Sequence, residues 1–366
     1  MILWIKINRN LKVYFPHHTM KKSLFILFTL LFLAVSISFG FQTSPLFSSQ
    51  EPLPIKMSFS IKELRKNTND STYMDSFLML ESSPGQWDTI PLEMRTRGNF
   101  RLANCLYPPI RIKFKNKKIN GTVFENNKSL KLVLPCQKGK GADSYIGKEY
   151  LAYQLLEDIT QYYFDTRLVQ VNFTNLDDKK GGETSLLGFL IQDDDEVAAR
   201  FGGKIVEGRK ILPTVMQDSA TVRQDFFQFM IGNTDFSTLF LHNQKVLQLD
   251  EKTIIPLAYD FDMCGLVSPP YAQVSPQLNI KSVTDRLYRG FCRDEAFVQA
   301  IRQEFLAKES QFWSTVERQQ PYMTDIDMKM TKTFLKGFFD VLKNDRLFRD
   351  QILAACRGSD GAVQGR

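Results

Sequence analysis

Apolar and polar residues alternate in short runs over the first half of the chain. From Ile55 the segments IKMSFSI, SFLML and TIPLEMRTRG read as strands. In the last of these, Leu92, Met94 and Thr96 alternate with Glu93, Arg95 and Arg97, the period of a half-buried strand. IRIKF (110–114) alternates as cleanly, and LKLVL (130–134) is a further strand with Lys131 embedded in it. The period then changes. Over 147–160 (GKEYLAYQLLEDIT), Leu151, Leu155 and Ile159 share a face, with Tyr150 and Leu156 beside it, which predicts a helix. Strands return at 167–173 and 186–192 across the polar loop NLDDKKGGE. In DDDEVAARFGG, Asp193 to Asp195 suit a helix N-cap and first turn, and Gly202–Gly203 its end.

Beyond residue 204 the helical period dominates, at 219–232, 294–308 and 324–344, interrupted by short strands at 245–249 and 254–262. The switch predicts an α+β protein with a strand-rich part over 55–192 and a helix-rich part over 193–356, then a tail over 357–366. The Ser/Pro-rich stretch 41–54 (FQTSPLFSSQEPLP) reads as a linker.

Residues 20–40 follow neither period. Lys21 and Lys22 precede an apolar run, Leu24 to Val35, in which Thr29 is the one polar residue, and Ser38 and Gly40 are small residues at the minus-three and minus-one positions of a cleavage site. The run is near the short end for a membrane span and no basic cluster follows it. A cleaved signal peptide is expected, with a periplasmic or secreted product that has no stable membrane span. Residues 1–19 fit no signal-peptide n-region, so Met20 is the expected initiator. The leader changes the charge argument. The formal charge is +7, but Lys6, Arg9, Lys12, Lys21 and Lys22 lie in 1–40 with no acidic residue, leaving about +2 beyond it. So balanced a chain gives no electrostatic reason to expect a nucleic-acid partner.

Composition adds two constraints. With 30 Phe the core is aromatic-rich, and the 5 Cys show neither a CxxC nor a zinc spacing. Cys105 precedes the IRIKF strand and Cys136 ends the LKLVL strand. Neighbouring strands would put them within disulfide reach, and an exported site permits oxidation. Pairing of Cys264, Cys292 and Cys356 stays open. Past the leader His242 is the only histidine, which excludes a His-rich metal site.

The segment 230–262 (MIGNTDFSTLFLHNQKVLQLDEKTIIPLAYDFD) carries the most chemistry. A helix ends at Gly232, a polar loop holds Asn233, Asp235, His242 and Asn243, and a hairpin delivers Asp260 and Asp262. Phosphoryl transfer of the kinase type needs such an order: one carboxylate for the attacking hydroxyl, then an Asn and a carboxylate for magnesium. Protein kinases space these as D-x4-N and DFG; here they are D-x7-N and DFD. Loop Asp and Asn also bond their own backbone, so turn capping is the competing account.

In order and wording, RTRGNFR (95–101), PPIRIKF (108–114), LKLVLPC (130–136), KEYLAYQLL (148–156), FLIQDDDEVAARFGG (189–203), FMIGNTDFSTLFLHN (229–243), IPLAYDFDMCGLVSPPYA (255–272) and RLYRGFCR (286–293) resemble the CotH-like atypical kinases, exported bacterial members above all. The resemblance implies a bilobed, protein-kinase-like fold, with 55–192 as a strand-rich N-lobe and 193–356 as a helical C-lobe. It implies ATP and magnesium as cofactors and a protein or envelope component as substrate. Lys131 and Glu149 resemble the strand lysine and helix glutamate that order ATP phosphates. Asp235 resembles the catalytic aspartate, Asn243 and Asp260 the metal ligands, with Asp262 as an alternative ligand. Arg97 and Asn99, in RGN, would approach the phosphates, since the chain has no GxGxxG loop. A non-catalytic relative that binds an envelope component is the second reading; a hydrolase built on Asp235 and Asp260 is the third.

Overall fold

The alternation of the first half closes on itself. A computed structural model describes residues 44–115, 118–139, 141–208 and 211–358; the leader expected over 1–40 lies outside the described residues. Seven strands, β1 (Leu53–Phe59), β2 (Met74–Ser83), β3 (Gln86–Thr96), β4 (Ile110–Phe114), β5 (Ser129–Val133), β6 (Thr166–Asn175) and β7 (Glu183–Gln192), form a closed barrel in the order β1-β2-β3-β4-β5-β7-β6. Each neighbouring pair is antiparallel except the closing one: β1 and β6 run parallel, from Leu53 opposite Val169 to Phe59 opposite Asn175. Because side chains alternate across a strand, one set fills the barrel: Ile55, Leu78, Leu92, Ile112, Leu132 and Val171 are all buried there.

The bilobed kinase-like arrangement is therefore not what the chain adopts. The strands make a closed barrel rather than an open lobe, because β1 supplies an apolar-facing edge that β6 pairs along its whole length. The described chain divides no further than one compact unit, and the change of composition near residue 200 marks the end of the barrel. The α+β class holds.

On β5, β6 and β7 the outer face is apolar too. Val133, Leu168, Phe189 and Ile191 join a second core with α3 (Ala142–Glu157), whose Tyr150, Leu151, Tyr153 and Leu155 are buried. This core continues into the helices α5 (Asp218–Met230), α6 (Glu295–Ala307), α7 (Glu309–Arg318) and α8 (Asp325–Lys343). Phe226, Phe305, Phe338 and Phe348 interlock there, with ring centroids 5.4 Å apart for Phe226–Phe305 and 5.8 Å for Phe305–Phe338. A three-stranded sheet, β10 (Ile254–Ala258), β9 (Gln244–Gln248) and β8 (Lys204–Ile205), lies within this region.

Several local features differ from expectation. The first strand stops at Phe59 because the Ser60 hydroxyl accepts from the Glu63 N–H and caps a short helix, α1 (Ile61–Asn67). A second short helix, α2 (Phe100–Asn104), follows β3. The helix expected from 147 begins at Ala142, and the strand expected to reach 262 ends at Ala258. The described part of the expected linker packs on the barrel: Leu46 is buried, and Arg167 donates to the Leu46 and Ser49 carbonyls. Two disulfides are present, Cys105–Cys136 with Cα atoms 4.4 Å apart and Cys292–Cys356 with 4.9 Å. They fit an oxidising compartment. Cys264 is a buried free thiol. Among the described residues no helix is long and apolar enough to cross a membrane.

Candidate functional site

Where barrel and helices meet, charged side chains are buried in two groups. The first stands on the outer face of β4 and β5. Arg111 and Lys131 face each other in register, and both point away from the barrel core because their neighbours Ile112, Leu130 and Leu132 point into it. The short helix α4 (Asp194–Arg200) brings its start against them. Asp193 pairs with Arg111. Asp194 lies 2.9 Å from Lys131 Nζ and 3.0 Å from Lys245 Nζ of β9. The Phe164 and Tyr259 rings cover Lys131, with centroids 4.9 and 5.4 Å from Nζ. Burial works to raise the Asp194 carboxyl, but Lys131 and Lys245 outweigh it and hold it far below the ordinary range. For Lys131, burial wins over Asp194 and the ammonium pKa is lowered.

The second group is Arg101 of α2, Glu149 of α3 and Asp262, which follows β10. Arg101 Nη1 is 3.5 Å from Glu149 Oε2, and its Nε is 3.8 Å from Asp262 Oδ2. All three are buried. Arg101 also donates to the Leu134 carbonyl, beside the Cys105–Cys136 bridge. Burial pushes both the Glu149 and the Asp262 carboxyl well up, and the Asp260 charge adds to it in each; Arg101 opposes. Asp260 holds a left-handed backbone, φ 65°, and its N–H donates to the Tyr153 hydroxyl at 3.0 Å. For a residue other than glycine such a conformation is strained. Arg97, half-buried, is sensed by both groups, since its charge acts on Lys131 and on Glu149 and Asp262.

The loop after α5 joins the second group. Asn243 Nδ2 donates to the Asp235 carbonyl at 2.7 Å and to Asp235 Oδ2 at 3.1 Å, while His242 Nε2 is 3.0 Å from Asp235 Oδ1. The Asn243 carbonyl accepts from the Tyr259 N–H at 3.3 Å, tying this loop to the segment that carries Asp260 and Asp262. The charge of Asp235 is one of those raising Asp262.

The structure thus gathers Arg97, Glu149, Asp235, Asn243, Asp260 and Asp262 into one neighbourhood. It does not pair Lys131 with Glu149: Asp194 holds the lysine, and Arg101 takes its place beside the glutamate. Asn99 is exposed and makes no capping bond. Arg101 is the residue that sequence reasoning passed over. Its signal was an arginine four residues before a disulfide cysteine, in a segment too short to show a period.

Beside Arg101 and Glu149 opens a cavity of about 180 Å³. Tyr145, Ile146, Val267 and Tyr271 give it apolar walls, and Gln137 and Lys138 a polar edge. Among the described residues no three His, Cys, Asp or Glu side chains form a ready-made metal cage. Magnesium is ordinarily held by one or two carboxylates together with substrate phosphates, so the donors present fit that mode. Asp262 Oδ2, buried and accepting no hydrogen bond among the described residues, is a ligand atom with capacity to spare. No known protein-family model matches the chain, and no curated protein matches it either.

The buried carboxyls set a pH dependence. Burial raises Asp225 to about 7, Glu157 to about 8 and Glu196 to about 7, besides Glu149 and Asp262. A folded-state pKa above the unfolded one gives stability that is present at low pH and lost as pH rises through the folded value. Asp194, depressed, works the other way and loses its contribution only in acid. Urea-unfolding stability is therefore expected to be greatest near pH 4, where the unfolded carboxyls begin to ionise, and to fall between about pH 4 and 8 as the folded ones follow. Each proton the folded state holds in excess gives a slope of about 1.4 kcal/mol per pH unit. A stability that rises across that interval would contradict the burial of these groups.

Proposed function

We propose that the chain is a CotH-like, exported phosphotransferase that uses ATP and magnesium to modify a hydroxyl of a protein or envelope component. The observation that carries this reading is the meeting of Asp235 and Asn243 with the Asp260–Asp262 segment and two guanidinium groups, Arg97 and Arg101, next to an apolar-walled cavity. Phosphoryl transfer asks the protein for position and charge rather than for covalent chemistry. Arg101, steadied by Glu149, and Arg97 would draw in the phosphates; a planar guanidinium suits them better than an ammonium. Tyr271, Tyr145 and Val267 would enclose the base. Asp235, oriented by Asn243 and His242, would receive the acceptor hydroxyl. Asp260, Asp262 and Asn243 would hold magnesium, which would supply positive charge to offset that of the phosphates.

The test is Asp260→Asn. Magnesium-dependent ATP binding by the purified chain, measured by calorimetry, is expected to weaken about tenfold or more, with the circular dichroism unchanged. Unchanged binding would favour the second reading, a non-catalytic envelope-binding protein. One observation speaks for that alternative: Lys131, the lysine given to ATP by the resemblance, is already committed to Asp194 under two aromatic rings.

A further inference from the structure

Asp235 lines a second cavity, of about 400 Å³, that shares no lining residue with the first. Its construction is unusual for a surface that serves only folding. Ser237 and His242 exchange both backbone hydrogen bonds, at 3.0 and 3.1 Å, so the residues between them form a hairpin tip. Phe240 stands at that tip, 64% exposed. The turn needs Leu241 in the left-handed region, φ 55°, and Asn243 likewise, φ 50°. A phenyl group held toward water by a strained turn costs free energy twice, in hydration and in backbone conformation. Across the same cavity Leu212 is 55% exposed, and Leu239 and Leu278 continue the apolar lining. Besides the Asp235 carboxylate the lining carries two cations, Arg289 and Arg357, which leaves it net positive. Arg289 donates to the Thr234 and Phe236 carbonyls and so fixes the loop on either side of Asp235.

The geometry points to this cavity as the acceptor site, taking an extended peptide in which a hydroxyl residue meets Asp235 and an adjacent bulky apolar side chain packs against Leu212 and Phe240. The inference rests on the phosphotransfer reading and names its substrate class. In a peptide the side chain next to the hydroxyl residue lies within reach of the apolar rim and would cover it. A basic neighbour on the peptide is disfavoured, because Arg289 and Arg357 already place positive charge in the cavity.

Fluorescence anisotropy with three labelled serine-centred heptapeptides tests this on the purified full chain. The residue after serine is Phe, Ala or Arg. The Phe peptide is expected to bind about tenfold more tightly than the Ala peptide, the scale of burying one large apolar side chain in part. The Arg peptide is expected to bind weakest. Phe240→Ser and Leu212→Ser should each erase most of the Phe preference; both side chains are exposed, so the fold is not at risk. Equal affinity for the three peptides, or a Phe preference that survives both substitutions, would overturn the site. ATP binding on the same sample separates the two ideas. Nucleotide bound without peptide selectivity overturns only the acceptor site. Selectivity without nucleotide binding keeps the peptide site and overturns phosphotransfer.

Discussion

Arg101→Met is expected to lower the unfolding free energy by about 3–5 kcal/mol, the usual consequence of removing one member of a buried ionic group. Glu149 and Asp262 would remain buried without their cation, 3% and 5% exposed, in a site where Asp260 already repels them. Methionine has nearly the right length, so the loss would come from charge and hydrogen bonding rather than from a void. Two further measurements separate that cause from mere disruption. Adding Glu149→Gln and Asp262→Asn to the variant should recover a large part of the loss, since neutral amides have no charge to desolvate. The deficit should also be smaller at pH 5 than at pH 8. Without Arg101 the two carboxyls titrate still higher, so they are protonated, and cheaper to bury, in the more acidic buffer. A loss under about 1 kcal/mol at pH 8 would mean that Arg101 is not the cation these carboxylates depend on.

The second large effect concerns Cys105–Cys136. Replacing both with alanine is expected to cost about 2–4 kcal/mol, for a bridge closing a separation of 31 residues. More than chain entropy is involved. The bridge fastens the end of α2 to the segment after β5, where Leu106 N–H donates to the Cys136 carbonyl at 2.7 Å. Arg101 on one side and Gln137 on the other both line the first cavity. The variant should therefore lose ligand affinity at that cavity along with stability, whereas a bridge that only restrained the unfolded chain would cost stability alone. Peptide mapping of the oxidised native protein provides the prior check. Cys105 and Cys136 should resist alkylation until reduced, and Cys264 should react only on unfolding because it is buried.

How much of this was legible in the sequence depends on the range of the interaction. Alternation in Leu92, Met94 and Thr96, or in Ile110 and Ile112, is a local property, and the strands follow from it. The pairing of β1 with β6 is not local: no signal within Leu53–Phe59 says that its partner begins at Thr166, so closure into a barrel could not be read. The same limit separates the two candidate cations. Lys131 is visible as a lysine inside an apolar strand, but its partner Asp194 arrives in the first turn of a helix 63 residues later, and nothing local favours Asp194 over Glu149. Asp235 and Asn243 show the opposite case. Their wide spacing looks wrong for a pair acting together, yet the hairpin closed by Ser237 and His242 takes up the extra residues. Asn243 then comes back to within 3.1 Å of Asp235 Oδ2. Ser60 and Glu63 carried a readable capping signature that the strand pattern around them obscured.

The parallel seam between β1 and β6 has a consequence for how the chain reaches its fold. Most strand pairings in the barrel can form between segments that follow one another closely, but β5 waits for β7 across more than 50 residues, and Leu53 waits still longer for Val169. Until β6 and β7 are available, β1 and β5 each present an unpaired edge, the kind of surface that recruits other chains. Topologies dominated by such distant contacts fold slowly. A chain truncated before Thr166 would keep strands β1 to β5 with both edges open, and would be prone to associate through them. Interruption of synthesis or premature cleavage in the α3 segment would thus yield an aggregating fragment rather than a smaller soluble one.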